Sequence, residues 1–369
     1  MPGLAAIESR QPFSVGGSHR LDDAVTDLAG AADDSWLIAG SASGRLVRFD
    51  SAGDPLNNWQ AHDGGVIRIR PQPDSDGRIV SAGEDGRVVL WDSTDASETT
   101  CLLDEKGWVE HLEWTPDGAV LAVAARKTLS LWKGADPLGM WFDAKRHILA
   151  MAWAPDGRRL ATASNKGLYL WRVGQNDSDA EEPVQLLSFP GAPVSVAWQP
   201  NGRALAVGTQ DGFLQVWRAG GIERGKGSDR ARQLTMKGYP SKVSCLSWHP
   251  RQPTIASAGG TDVVLWKLPR GGGSTKGQPL RHHAATVTAL QWAPDGSFLA
   301  SGDRTGRLCI WNTAGEAVFS HNFKHEVTVL HWQSRGSALT VGDIEGGLHH
   351  LSQAETTNPP LTAHGGNPA

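Results

Sequence analysis

Eight segments of this 369-residue chain end in nearly the same way, at nearly the same interval. They read Arg48-Phe49-Asp50, Leu90-Trp91-Asp92, Leu131-Trp132-Lys133, Leu170-Trp171-Arg172, Val216-Trp217-Arg218, Leu265-Trp266-Lys267, Ile310-Trp311-Asn312 and His350-Leu351-Ser352. Successive central residues, from Phe49 to Leu351, lie 42, 41, 39, 46, 49, 45 and 40 residues apart. A period near 40 residues marks a repeat architecture. Each unit is one small supersecondary piece that cannot bury its apolar faces alone and must stack on its neighbours.

The inside of the period is equally regular. Each unit opens on a short apolar stretch: Val109, Leu112, Trp114; Ile148, Met151, Trp153; Val194, Ala197, Trp198; Val243, Leu246, Trp248; Val287, Leu290, Trp292; Val327, Leu330, Trp332. Val25-Leu28 and Val66-Ile69 are weaker copies. These stretches are read as the innermost strands of small sheets. A turn follows, clearest as Pro116-Asp117-Gly118, Pro155-Asp156-Gly157, Pro200-Asn201-Gly202 and Pro294-Asp295-Gly296. Proline fixes φ and glycine supplies the positive φ that such a turn needs. Next comes a strand of small residues, such as Leu160-Ala161-Thr162-Ala163 or Leu299-Ala300-Ser301-Gly302, able to pack closely on a neighbouring sheet. Asp85-Gly86 and Asp211-Gly212 then signal a hairpin. The third strand alternates, with Val88 and Leu90 on one face and Val89 and Trp91 on the other. A more variable fourth strand closes the unit, for example Leu56–Gln60 or Leu186–Phe189. The 44 glycines, about 12% of residues against roughly 7% on average, suit many tight turns between short strands.

In these strand ends, Asp-Gly turns and Pro-Asp-Gly turns the chain resembles the WD-repeat (WD40-type) β-propeller family, over about residues 13–352. The resemblance implies an all-β fold: a single closed β-propeller of four-stranded antiparallel blades. The count of innermost strands gives eight blades; seven is the alternative, with the first or last unit demoted. The expected organisation is a flexible N-terminus over 1–11, the propeller over 12–355 and a disordered tail over 356–369. Closure requires a strand from the other end of the sequence to complete the last sheet, and Pro12-Phe13-Ser14-Val15 is the candidate. The family often braces a blade with a buried His–Ser/Thr–Asp–Trp network. Unit two matches in full with His62, Ser81, Asp85 and Trp91. Unit seven keeps His283, Ser301 and Trp311 but has Thr305 where the aspartate is expected, and unit eight has Glu345 and Leu351 in place of the acid and the indole.

Other classes leave little trace. The formal charge of −4 gives no basic footprint, so no nucleic-acid partner is expected. No apolar stretch is long enough to cross a bilayer, Met1 to Phe13 does not read as a secretory signal, and no membrane partner is expected. Cys101, Cys245 and Cys309 are odd in number and form no C-x-x-C pair, which suits a reducing, cytoplasmic setting. The stretch 220–227 lacks the Ser/Thr and following helix of a phosphate loop, and Asp74-Ser75-Asp76-Gly77 reads as turn chemistry rather than a calcium loop. No catalytic residue, metal ligand or cofactor is expected.

Departures from the repeat point to function. Insertions at 174–183, 219–232 and 269–279 separate the third and fourth strands of units four, five and six, on one rim. On the opposite face, Trp108 precedes an innermost strand, Arg126-Lys127 replace an Asp-Gly turn, Arg146-His147 precede the next innermost strand, and Lys166 sits in the next turn. An aromatic residue among cations is the kind of anchor interfaces favour. Trp108, Arg126, Lys127, Arg146, His147 and Lys166 are therefore the candidate partner-binding residues. The expected function is a non-catalytic scaffold for protein–protein contact and complex assembly. Its partners would be proteins or peptides, acidic or phosphorylated ones included, bound by a monomeric propeller within a hetero-complex. One alternative is a metal-handling protein using the crowded His282, His283, His321, His325, His331, His349 and His350. Another is a propeller enzyme with a central-channel site.

Overall fold

The computed structural model describes residues 12–73, 75, 77–142, 147–164, 167–173, 185–187, 191–218, 233–269 and 275–354. Residues 1–11 and 356–369, the insertions 174–183 and 219–232, Asp74, Asp76, Arg146 and Lys166 lie outside them. Among the described residues every element is a strand and none is a helix. They form eight four-stranded antiparallel sheets arranged in a ring, an eight-bladed propeller. In blade one the chain runs outward from Val25–Gly30 through Trp36–Ser41 and Arg45–Asp50 to Pro55–Gln60.

The seven-blade alternative falls at the closure. Blade eight takes three strands from one end of the sequence, Val327–Trp332, Ala338–Asp343 and Gly347–Gln353. Its outermost strand is Phe13–Arg20 from the other end, with Phe13 opposite Gln353 and Arg20 opposite Gly347. Across the join between blades eight and one, the Thr328 hydroxyl donates to the Val25 carbonyl (2.6 Å), and the Ser334 amide and hydroxyl donate to the Asp34 carboxylate at 2.7 and 2.6 Å.

Apolar burial lies mainly between blades. Each blade shares a cluster with the next: Leu46 and Ile38 of blade one pack with Ile69 and Trp91 of blade two, and Leu348 of blade eight with Val25, Leu37 and Phe49 of blade one. The small residue near the end of each second strand sets the spacing. Gly40, Ala82, Ala124, Ala163, Gly208, Ala258, Gly302 and Gly342 occupy one ladder position in the eight blades. A Cβ on Gly302 would stand 2.4 Å from Val327 Cγ1 of the next blade, and one on Gly342 would stand 2.7 Å from Val25 Cγ1.

A tryptophan ends the innermost strand in blades three to eight: Trp114, Trp153, Trp198, Trp248, Trp292 and Trp332, all buried. Each wedges against the preceding blade, beside an apolar residue of that blade's third strand. The couples are Leu90 and Trp114, Leu131 and Trp153, Leu170 and Trp198, Val216 and Trp248, Leu265 and Trp292, and Ile310 and Trp332. Three of the indoles also donate across the seam, Trp153 to the Glu113 carbonyl (3.0 Å), Trp248 to that of Ala197 (3.0 Å) and Trp332 to that of Gln291 (3.1 Å).

Three expectations need correction. In blade five the buried residue that opens the innermost strand is Pro193 rather than Val194, because Pro193 pairs with Thr209 where Ile148 pairs with Ser164 in blade four. A bulge follows in both, so the register is that of the other blades although the residue type differs. In blade six the outermost strand begins at Gly277, inside the stretch read as an insertion. In blade four the outermost strand is Gln185–Leu187, and 188–190 lie outside the described residues.

Candidate functional site

The loops that lead into the innermost strands and the hairpins between second and third strands emerge at the same end of every blade. On blades three and four this end brings together four of the six candidate binding residues. Trp108 is 55% exposed although the next residue, Val109, is fully buried. Gly107 before it has φ 118°, and a Cβ there would meet Arg126 Cδ at 2.8 Å, so the Arg126 side chain lies across Gly107. The Arg126 carbonyl accepts the Ile148 amide at 2.8 Å, which ties this hairpin to the start of blade four. Lys127 and His147 are exposed, and His147 Nδ1 stands 3.5 Å from Glu110 Oε1.

The hairpin itself is unusual. Between Ala125 and Thr128 it has only two residues, one fewer than the Glu84-Asp85-Gly86 loop of blade two, and it lacks glycine. Arg126 takes the positive φ (55°) that Gly86 takes in blade two (86°). A bulky residue held in that region is strained, and such strain gathers at functional sites.

Leu149, 36% exposed, belongs to the same patch and was missed. It occupies the second position of an innermost strand, where Thr288 and Thr328 instead reach across to the next blade through their hydroxyls. Its signal was a leucine at a position where the repeat tolerates a small polar residue. Ile344, 46% exposed, lies in the corresponding hairpin of blade eight.

The bracing network of blade two is complete. His62 Nδ1 meets Asp85 Oδ1 at 2.9 Å, His62 Nε2 meets Ser81 Oγ at 2.7 Å, and the Trp91 indole donates to Ser81 Oγ at 2.8 Å. Burial holds the His62 imidazole below its ordinary pKa despite the adjacent carboxylate. Burial also opposes ionisation of Asp85, but the Arg87 and Asp63 amides and His62 outweigh it and hold that carboxyl low.

Blade seven has the same network with a different acid. His283 Nδ1 meets Asp303 Oδ2 at 2.9 Å, and the Trp311 indole and His283 Nε2 both reach Ser301 Oγ. Thr305 does not stand in for the aspartate; it donates its amide and hydroxyl to Asp303 Oδ1. In blade eight the acid is Asp343 rather than Glu345, but its histidine is His349 of the blade's own third strand, with Nε2 at 3.1 Å, while Phe323 stands where His62 and His283 stand in blades two and seven. In blade six Tyr239 takes the place of the histidine. Its hydroxyl lies 2.6 Å from Ser257 Oγ and accepts the Trp266 indole at 2.7 Å.

Facing the channel, Arg70 stands 2.9 Å from Asp27 and 3.6 Å from Glu113, linking blades one, two and three. Asp27 Oδ2 also accepts the Ile69 amide at 2.9 Å, on the unpaired edge of the next innermost strand. Burial, helped by Arg68 and Arg70, pushes the nearby His111 down to about 4. The crowded C-terminal histidines divide among separate tasks. His283 braces blade seven, His349 stacks on Phe323 with ring centres 4.2 Å apart, and His350 meets Thr340 Oγ1 at 3.0 Å. Among the described residues no group of three or more His, Cys, Asp or Glu side chains is placed to hold a metal ion.

The comparisons with known proteins agree with the fold. A family model described as "WD domain, G-beta repeat" matches residues 53–92 and 141–172, and one described as "IFT140 first beta-propeller" matches 191–317. The chain belongs to the WD-repeat β-propeller family. The first match begins just before the outermost strand of blade one and ends with the third strand of blade two, so the sequence repeat straddles two blades and interlocks them.

Among similar proteins, "Telomerase protein component 1" of Rattus norvegicus is 24% identical over 305 residues, 78% of this chain, and that of Mus musculus is 22% identical over 302. The chain spans 11% of the length of either protein. "F-box-like/WD repeat-containing protein TBL1X" of Mus musculus is 26% identical over 129 residues, 31% of this chain and 24% of that one. The crystal structure of the computationally designed Ika8 protein superposes with a TM-score of 0.73 at 19% identity, over 90% of this chain and 97% of that one, and shares the fold. WD-repeat propellers are typically non-catalytic scaffolds that bind other proteins.

Proposed function

We propose that this WD-repeat propeller is a non-catalytic scaffold that docks a protein partner on the face of blades three and four. The observation that carries the reading is Trp108, a large aromatic left 55% exposed immediately before the fully buried Val109. Beside it stand Arg126, Lys127 and His147, with Leu149 extending the apolar area. A rigid aromatic anchor beside arginine is the pattern that concentrates binding energy at interfaces. The strained Arg126 turn supports the same reading. The cations favour an acidic or phosphorylated segment in the partner, since guanidinium pairs strongly with carboxylate and phosphate. Sheets bonded into a ring keep the platform fixed while its loops vary, which separates recognition from folding.

The test is affinity capture from the native cell with the parent protein and with Trp108→Ala/Arg126→Ala. Both side chains are exposed, so the variant should unfold at nearly the parent temperature. A partner recovered by the parent and lost by the folded variant is the expected outcome. Unchanged recovery of every partner would remove this face from consideration.

A further inference from the structure

The outer part of each seam lies where the third and fourth strands of one blade meet the linker arriving from the blade before. Several blades fill this place with large side chains. In blade two Arg87 and Val89 share a face with Trp91, and Arg87 donates at 3.0 Å to Glu98, which stands opposite Trp91. In blade four Tyr169 lies on that face, its ring centre 6.4 Å from that of Trp171. In blade seven Arg307 donates to Asn322 Oδ1 (3.0 Å) and to the His282 carbonyl (2.7 Å), and the His282 ring stands edge-on to Trp311 at 6.0 Å. In blade eight His349 stacks on Phe323.

Blade six has none of these fillings. Asp262 stands at the position of Arg87 and Arg307, and Val264 at that of Tyr169. Gly277 stands at the position of Glu98, and Gly238 at that of His282. A Cβ on Gly238 would meet no atom within 4 Å. The result is a cleft of about 300 Å³ at the seam of blades five and six. Val264 and Trp266 line it on the third strand, with Tyr239-Pro240 on the linker and Pro279 on the outermost strand, and both prolines are exposed.

The polar atoms of its aromatic residues are already used. The Trp266 indole donates to the Tyr239 hydroxyl at 2.7 Å, and that hydroxyl lies 2.6 Å from Ser257 Oγ. The cleft therefore offers ring and aliphatic surface, and charge stands only around it. Lys237 and Arg281 are exposed in the lining, and its one carboxylate, Asp262, lies 3.2 Å from Arg281 Nε. Lys237 Nζ is 5.4 Å from the Phe213 ring centre, and among the described residues no carboxylate pairs with it. The counterpart cleft in blade one is also open, at about 360 Å³, but Arg45 crosses it from Asn58 (2.8 Å) to Asp22 (3.2 Å) and leaves it polar.

We infer that the cleft of blade six is a second docking site, which takes a proline-rich segment of a partner protein that also carries acidic residues. A polyproline II segment presents rigid apolar rings that need no hydrogen bond, and it docks in grooves lined by aromatic side chains. Its prolines pack on Val264, Trp266 and Tyr239 between Pro240 and Pro279. Its carboxylates face Lys237 and Arg281. The cleft is built from the linker and strands of blade six, so it binds independently of the Trp108 face.

Selection from a phage-displayed random peptide library on the immobilised full chain, followed by fluorescence anisotropy with an enriched peptide, tests the inference. Enrichment of peptides that combine proline with aspartate or glutamate is expected. Val264→Tyr gives the cleft the side chain of blade four, and Asp262→Arg that of blades two and seven. Each is expected to weaken binding by about tenfold or more. Lys237→Glu/Arg281→Glu, at two exposed residues, is expected to weaken binding and to reduce its salt dependence. Trp108→Ala/Arg126→Ala is expected to bind as the parent does. A melting curve confirms the fold of each variant, and Asp262→Arg, nearer the surface, serves should Val264→Tyr not fold. Absence of enrichment, enriched peptides without proline, parent-like binding by a folded Val264→Tyr or Asp262→Arg variant, or loss of binding by Trp108→Ala/Arg126→Ala overturns the inference. Self-association of the parent in sedimentation that Asp262→Arg abolishes would give the cleft to a second copy of this chain and overturns it as well.

Discussion

The glycine or alanine near the end of each second strand governs how closely two blades approach, and one methyl group is enough to show it. Gly302 has no room for a Cβ, which would stand 2.4 Å from Val327 Cγ1 and 2.6 Å from its Cβ. Gly302→Ala is therefore expected to cost about 1–3 kcal/mol by overpacking. Combining it with Val327→Ala should return part of that loss, and a double-mutant cycle in urea measures the coupling. The small-residue rule was legible in the sequence, since Ala82, Ala163, Gly208 and Gly302 recur at one place in the period. The bracing acids were less so. Asp303 and Asp343 lie two residues before the position that Asp85 occupies; Asp303 still reaches His283, the counterpart of His62, whereas Asp343 meets His349 of its own blade's third strand. Alignment by position alone pointed to Thr305 and Glu345. Tyr239 escaped notice for a related reason, because a phenol hydroxyl can replace an imidazole nitrogen without any likeness in the residue code.

Among elements, the strand Phe13–Arg20 has the most demanding role and little burial. Of its eight residues only Phe13 is buried, at 2% exposure, and its ring lies 5.2 Å from Phe298, 6.2 Å from Phe319 and 5.8 Å from Trp332. The ladder to Gly347–Gln353 is interrupted by a bulge between Val15 and Ser18. One aromatic side chain thus does most of the anchoring. Phe13→Ala should cost about 3–5 kcal/mol, the usual loss for emptying a buried aromatic site. Hydrogen exchange should show the loss first in the amides of 13–20 and 347–353, with blades three to six little changed. Uniform loss of protection around the ring would mean that closure is carried elsewhere. The sequence located this strand through the need to complete the eighth sheet. It could not show that Phe13 reaches blade seven, because that contact depends on the angle between sheets rather than on any periodicity.

For the molecule as a whole, histidine burial sets the acid limit. Burial lowers the pKa of His62, His111, His249, His282, His283, His321, His331 and His350 below the ordinary 6.5, His111 to about 4. Above pH 6.5 neither the folded nor the unfolded chain holds these protons, and stability is independent of them. Below 6.5 the unfolded chain takes up protons that the folded ring refuses, so stability falls with pH until each folded pKa is reached. A fully discriminated histidine contributes a slope of about 1.4 kcal/mol per pH unit. The half-exposed ones, such as His282 and His321, contribute less because water screens them. Asp85, Asp303 and Asp343, whose carboxyls are held below 3.8, add the same sign of effect at lower pH. The ring should therefore lose melting temperature steadily from pH 6.5 to about 4, and then more steeply. Replacing His62 and His283 with glutamine, which keeps hydrogen-bonding capacity but does not titrate, should flatten the first part of that curve while lowering its plateau at neutral pH. A melting temperature constant between pH 6.5 and 5 in the parent protein would show that the buried imidazoles accept protons without cost, and would leave the bracing networks without the electrostatic role assigned to them.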